Sequence, residues 1–199
     1  MTTRVLESSV AVACAASAAQ HERLCPRQVL GVRIGIAAGQ ALGLTLPRDD
    51  KRLLLFAETD GCVLDGVTAA TGCTVGHRTL RIVDYGRVAV TAVDVETEHA
   101  VRIAPRAGVR ELAISLAGDA LPRYYAQVEG YQQIPAHDLL RIEPVALTFD
   151  LAALLGHRGT RVDCTRCGEE VLNGREVYVG GGAVCPGCQG GAYYRSCAG

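Results

Sequence analysis

Hydrophobic positions follow helical spacing in the first quarter of the chain and then shorten into strand-like runs. In "VLESSVAVACAASAAQ" small and apolar residues recur with a helical period, so residues 4 to 20 are expected to form a first helix. A second helix should begin near Pro26, because the missing N–H of proline costs nothing in a first helical turn. Within it Gly31, Gly35 and Gly39 recur every four residues and share one face, which allows another backbone to approach closely. "KRLLLFAET" reads as a strand buried at its middle, and "VLDGVTAATG" as a short helix ended by Gly72. "RIVDY" and "RVAVTAVDVET" have strand composition on either side of Gly86, and "AVRIAPR" is placed as a hairpin return. After Pro105 the pattern is helical to about Gly118 and again at "RYYAQVEGYQQ", and "LLRIEPVALTF" is expected to close the sheet. Helices and strands mix without regular β-α-β alternation, so the expected fold class is α+β.

Near residue 157 the composition turns rich in glycine and cysteine and poor in leucine. Residues 1–156 are therefore expected to form the core domain and residues 157–199 a small second one. With 49% hydrophobic and 21% charged residues the chain should fold throughout. A formal net charge of -1 supplies no general basic surface, which argues against nucleic acid as an obligatory partner. The N-terminal stretch carries Glu7 and one cation, Arg4, so it reads as a packed helix and not as a secretory signal. "VLGVRIGIAAGQALGLTL" is interrupted by Arg33 and Gln40, too polar for a membrane span. A soluble, cytoplasmic protein is expected.

The chain has 9 cysteines, an odd total that argues against a closed disulfide framework. Cys164-x2-Cys167 and Cys185-x2-Cys188 form two paired units with the separation expected of a structural zinc site. Gly168 and Gly187 permit the tight turns, and "EVYVGGGAVC" supplies a hairpin between the halves. A segment of about 40 residues buries too little surface to fold alone, so the metal would supply much of its folding energy. Cys197 lies outside the pattern.

A second group is looser. Cys25 immediately precedes Pro26, at the expected N-cap of the second helix, where the helix dipole favours a thiolate. His21 lies in the turn before it. Cys62 and Asp65 fall at the exit of the "LLLFAET" strand, where layered folds commonly leave a ligand crevice, with Cys73 and His77 beyond the next helix. Spacing does not show that these residues meet, and buried structural cysteines with a surface histidine remain the competing reading.

"HERLCPRQVLGVRIG", "ETDGCVLDGVTAATGCTVGHRTL" and "DYGRVAV" together resemble the FmdE family of formylmethanofuran dehydrogenase proteins, whose usual forms are HGHLCPG before a G-x-x-x-G helix, E-x-x-x-C-x-x-D-A, TGCTxGKGNL and DYGK. The resemblance runs from about residue 15 to residue 100, and the four-cysteine tail resembles the finger carried by a subset of members. It implies an α+β core forming an intertwined homodimer, a Cys/His-lined cleft in each core, and a treble-clef-like zinc finger. Carried onto this chain, His21, Cys25, Cys62 and Cys73 become candidate ligands of a second, core metal ion, and Cys25 and Asp65 candidate catalytic groups. Arg23 stands in place of the family's second histidine, Arg27 in place of a glycine, and His77 in place of its lysine.

Two functions follow as expectations. One is a metal-binding enzyme or enzyme accessory acting on a small molecule, one-carbon, sulfur or pterin-linked. The other is a regulatory or metal-sensing module whose finger contacts protein or RNA through Arg158, Arg161, Arg166 and Arg175. Tyr124, Tyr125 and Tyr131 with Arg123 suit a substrate carboxylate or a base, although aromatic residues on a helix flank more often make core or dimer contacts.

Overall fold

A computed structural model describes residues 2–19, 21, 23–118, 121–157, 159–195 and 197, with side chains from Ser9 onward. Arg158 lies outside the described residues. The chain divides into two compact units, Met1–Ala146 and Leu147–Gly199. The compositional change near residue 157 falls inside the second.

In the first unit α1 (Thr2–Ala18) and α2 (Pro26–Leu42) precede β1 (Leu53–Ala57), α3 (Cys62–Thr71), β2 (Leu80–Ile82), β3 (Val90–Asp94) and β4 (Ala100–Pro105). Then come α4 (Val109–Ala117), α5 (Arg123–Gln133), the single turn α6 (Ala136–Leu139) and β5 (Leu140–Val145). The five strands make one sheet in the order β2-β1-β3-β4-β5, all antiparallel except β1 with β2. The expected α+β class is what forms. One β-α-β crossover, β1 through α3 to β2, sits within it, since parallel neighbours need such a connection. Of "RIVDY" only Arg81 and Ile82 pair, together with Leu80 before them; the chain then turns at Gly86, whose N–H donates to Asp84 Oδ1 at 2.8 Å.

The centre of the unit is α2, with Val29, Val32 and Ile34 fully enclosed, packed together with Leu53, Leu55, Ile103 and Leu140 of the sheet. Burial of each such side chain contributes about 1.5–3 kcal/mol. A helix covered on nearly all sides has no solvent face for its polar residues. Arg33, 9% exposed, therefore donates from its guanidinium to the carbonyls of Tyr131, Gln132 and Ile134 at 2.6, 3.0 and 2.8 Å. It satisfies the open carbonyl end of α5 and offsets its own burial cost.

The expected glycine face exists, and α3 occupies much of it. A Cβ on Gly31 would lie 2.0 Å from the Val63 carbonyl oxygen, and one on Gly66 2.0 Å from the Gln28 carbonyl oxygen. Gly35 meets Ala70 and Thr71, and Gly39 meets Leu46. The stripe is thus taken up by packing within the chain and gives no support to a dimer contact.

The second unit holds α7 (Leu151–Gly156), capped by Asp150 accepting from the Ala153 N–H, and two hairpins. β6 (Arg161–Asp163) pairs with β7 (Glu170–Leu172), and β8 (Val177–Val179) with β9 (Gly182–Val184); a π-helical turn spans Gly187–Gly191. Its apolar centre is small, Cys164, Val171 and Val184. So slight a core needs a cross-link or a metal. Among the described residues no helix is long and apolar enough to cross a membrane.

Candidate metal centres in the tail and the core

In the tail Cys164, Cys167, Cys185 and Cys188 bring their sulfurs within 4.8 Å of one another. The Cys167 and Cys185 sulfurs are 3.9 Å apart, against about 3.8 Å for the edge of a tetrahedron built on 2.3 Å zinc–sulfur bonds. Backbone N–H groups converge on the sulfurs: that of Cys185 donates to Cys164 Sγ and that of Cys188 to Cys185 Sγ, both at 3.3 Å. The amides of Cys185 and Cys167 pull the Cys164 thiol down to about 6, while the neighbouring sulfurs of Cys185 and Cys167 push Cys188 up to about 12. Four thiolates side by side would repel one another, and a cation among them would offset that repulsion. The four sulfurs could hold a metal ion, and their number and softness suit a closed structural site.

The core group is built where β1 ends and α3 begins. Cys25 is the N-cap of α2: its Sγ accepts the Gln28 N–H at 3.4 Å, and Gln28 Oε1 accepts the Cys25 N–H at 2.8 Å, a reciprocal capping box. The Gln28 amide reaches on to the carbonyl and hydroxyl of Ser17, both at 2.9 Å, tying α1 to the same point. Cys62 opens α3, and Asp65 lies in its first turn. Because Gly31 and Gly66 let α2 and α3 touch backbone to backbone, the two helix starts come together.

His21 Nε2 and Asp65 Oδ2 are 2.7 Å apart. His21, Cys62 and Asp65 hold their donor atoms within 4.8 Å of one another and could bind an ion. Burial pushes the Cys62 thiol up from its ordinary value, and the adjacent Cys25 thiol adds to the effect. The cleft over these groups encloses about 500 Å³ and is also lined by Asp60, Leu64, Thr68, Thr74, Val75, Leu80 and Ile82.

Cys73 does not join them. It follows the C-cap glycine of α3, at the far end of a 10-residue helix about 15 Å long. Its thiol is 2% exposed, donates to the Leu53 carbonyl at 3.6 Å, and is pushed up by burial. The candidate core set is corrected to His21, Cys62 and Asp65 with Cys25 alongside. His77 is exposed, its N–H on Thr74 Oγ1 at 3.1 Å, and is absent from the cleft lining.

Arg23, in the position of the family's second histidine, stacks over the Tyr124 ring at 5.3 Å, and the Tyr124 hydroxyl donates to the Leu24 carbonyl at 3.1 Å. Tyr124 thus braces the loop that carries His21 and Cys25. Sequence reading missed this brace, together with Asp60 and the Gln28 cap. The S/T-x-x-E/Q cap signature, with cysteine in place of the hydroxyl residue, was the one available signal.

Residues 20–136 match the family described as "FmdE, Molybdenum formylmethanofuran dehydrogenase operon". A curated relative from Archaeoglobus fulgidus, described as a probable S-adenosyl-L-methionine-binding protein, is 35% identical over 86 residues, 42% of this chain. The match spans only 24% of that relative's length. Among solved structures, a tungsten formylmethanofuran dehydrogenase FmdE-like protein from Syntrophus aciditrophicus aligns with a TM-score of 0.56 at 23% identity, covering 89% of this chain and 90% of its own. That likeness speaks to the fold.

Proposed function

This chain belongs to the FmdE family, and from that premise we propose that it is a metal-dependent protein acting on a small molecule, its core cleft holding an ion through His21, Cys62 and Asp65. The observation that carries the reading is the convergence of these three unlike donors in an accessible cleft, in contrast to the four like donors of the tail. Three protein ligands leave a coordination place for water or substrate, whereas four thiolates leave none. An ion so bound supplies Lewis acidity and lowers the pKa of a coordinated water or thiol. In this reading Cys25, beside Cys62 at the head of α2, is the candidate proton carrier. The 2.7 Å contact between His21 and Asp65 holds the two side chains together at the cleft, whose lining also includes Leu64, Val75, Leu80 and Ile82.

The tail ion is zinc in this reading, and its part is structural. The protein is taken as a cytoplasmic homodimer, on the family resemblance alone. Metal analysis tests the proposal: two ions per chain in the native protein, one in Cys62→Ser and one in Cys164→Ser. A native value of one, unchanged by Cys62→Ser, refutes the core site.

One observation favours a second role. Tyr178, Tyr193 and Tyr194 are 66%, 97% and 65% exposed on the finger, a surface suited to a protein partner or to stacking on RNA bases. Arg161, paired with Glu170, and Arg166, donating to the Cys188 carbonyl, are both exposed, but each has a partner within the chain that competes with phosphate.

A further inference from the structure

Charge and polarity are distributed unevenly around the core cleft. Its lining holds His21, Cys62 and Asp65, the exposed Asp60, the hydroxyls of Thr68 and Thr74, and the apolar Leu64, Val75, Leu80 and Ile82. Among the described residues no lysine or arginine lines the cleft. Asp60 makes no ion pair among them either, unlike Asp65, which is held by His21. With a divalent ion in place, the Cys62 thiolate and the Asp65 carboxylate cancel its charge, and His21 is a neutral ligand. Asp60 is then left as a whole negative charge at the mouth. The N-terminus of α3 opposes it with only about half a charge, which leaves the mouth net negative.

We propose that the cleft selects small cationic thiols, aminothiols in chemical class, over anionic ones, and that Asp60 is the residue that sets this preference. The inference rests on the core metal reading above. A thiol suits an ion that has one protein thiolate and an open place: it enters as thiolate, its proton passing to solvent, and displaces water. A short carbon chain would meet the apolar lining that includes Val75 and Ile82, and an ammonium group close to the sulfur would be drawn to the Asp60 carboxylate. A carboxylate at that position meets repulsion from Asp60 and finds no cation to hold it. Polyanionic substrates, including those with phosphate or several carboxylates near the reacting atom, are disfavoured for the same reason.

The test uses the full chain loaded with cobalt(II), whose visible absorption reports thiolate entry at an open site; the saturated tail site does not respond to added thiol. Cysteamine and mercaptoacetate are each titrated into the native protein and into Asp60→Asn, an exposed substitution that leaves the donor atoms in place. Taking the ratio of the two affinities within each protein, and then comparing the proteins, cancels the intrinsic thiol affinities of the metal. The cysteamine preference should fall by about tenfold in Asp60→Asn, since attraction lost and repulsion relieved each contribute an exposed-pair increment. A ratio unchanged by Asp60→Asn, with thiol binding intact, overturns the selectivity while leaving the metal site standing. Cobalt that is not lost from Cys62→Ser overturns the metal reading and the selectivity together.

Discussion

Gly31→Ala tests the contact on which the core site is built. The new Cβ would lie 2.0 Å from the Val63 carbonyl oxygen and 2.9 Å from the Val67 nitrogen, both backbone atoms, so no side-chain rotation relieves the clash. To restore ordinary contact from 3.4 Å, α2 and α3 must part by about 1.4 Å at the crossing. A gap of about 0.5–1 Å already forfeits a quarter to a half of the dispersion attraction between the atoms that line it. Overpacking of this kind costs about 1–3 kcal/mol, and the separation takes it to the upper end. Alanine returns up to about 1 kcal/mol through better helix propensity. The net loss is about 2 kcal/mol, a fall in Tm of about 4–8 °C for a unit of this size. Thermal unfolding followed by circular dichroism measures it, with Gly76→Ala, where a Cβ meets nothing within 4 Å, as the control. The same displacement moves Cys25 and His21 away from Cys62 and Asp65, so core metal occupancy should drop along with Tm. A Gly31→Ala protein within about 0.5 kcal/mol of native stability, the usual scatter of a neutral substitution, with both ions retained, would refute the backbone contact and its role in assembling the site.

Cys164→Ser or Cys185→Ser should release about one metal ion per chain and unfold the finger while the core keeps its circular dichroism transition; loss of both transitions together would contradict independent folding. Asp94 accepts from Arg52, Thr97 and the Glu96 N–H and is held far below its ordinary value of 3.8, chiefly by Arg52. With the native pKa depressed, its contribution is full above about pH 4 and is lost as pH falls through the native value. Asp94→Asn should therefore cost about 2 kcal/mol at pH 7 and progressively less as the pH drops below about 4, read from denaturant midpoints; a cost independent of pH would rule out the ion-pair origin. Alkylation at pH 8 followed by mass spectrometry should label exposed Cys197 first and leave Cys14, raised to about 11 by burial, and Cys73 unlabelled until unfolding; early labelling of either buried thiol would contradict its enclosure.

The two C-x2-C units were legible in the chain because their chemistry is local: each turn presents its own two sulfurs, and only one long-range closure is needed. Helix limits at Pro26 and Gly72 were legible for the same reason, since a missing N–H and a left-handed residue act on their own turn. The α+β class followed from patterning alone. The partner of the glycine face was not readable, because spacing shows that a backbone can approach but not which one does. Gly66 on α3 completes that contact and belongs to no glycine period. The same limit governs the core site. Cys62 and Cys73 sit symmetrically around a short helix in the sequence, yet the rise of that helix sends them to opposite ends, one into the cleft and one into the apolar core. His21 and Asp65, 44 residues apart, meet because two helix starts cross at glycine, a convergence set by packing. Residue type determined what chemistry was available; the distances that select which residues share it were decided by tertiary packing, because they depend on contacts between segments remote in the chain.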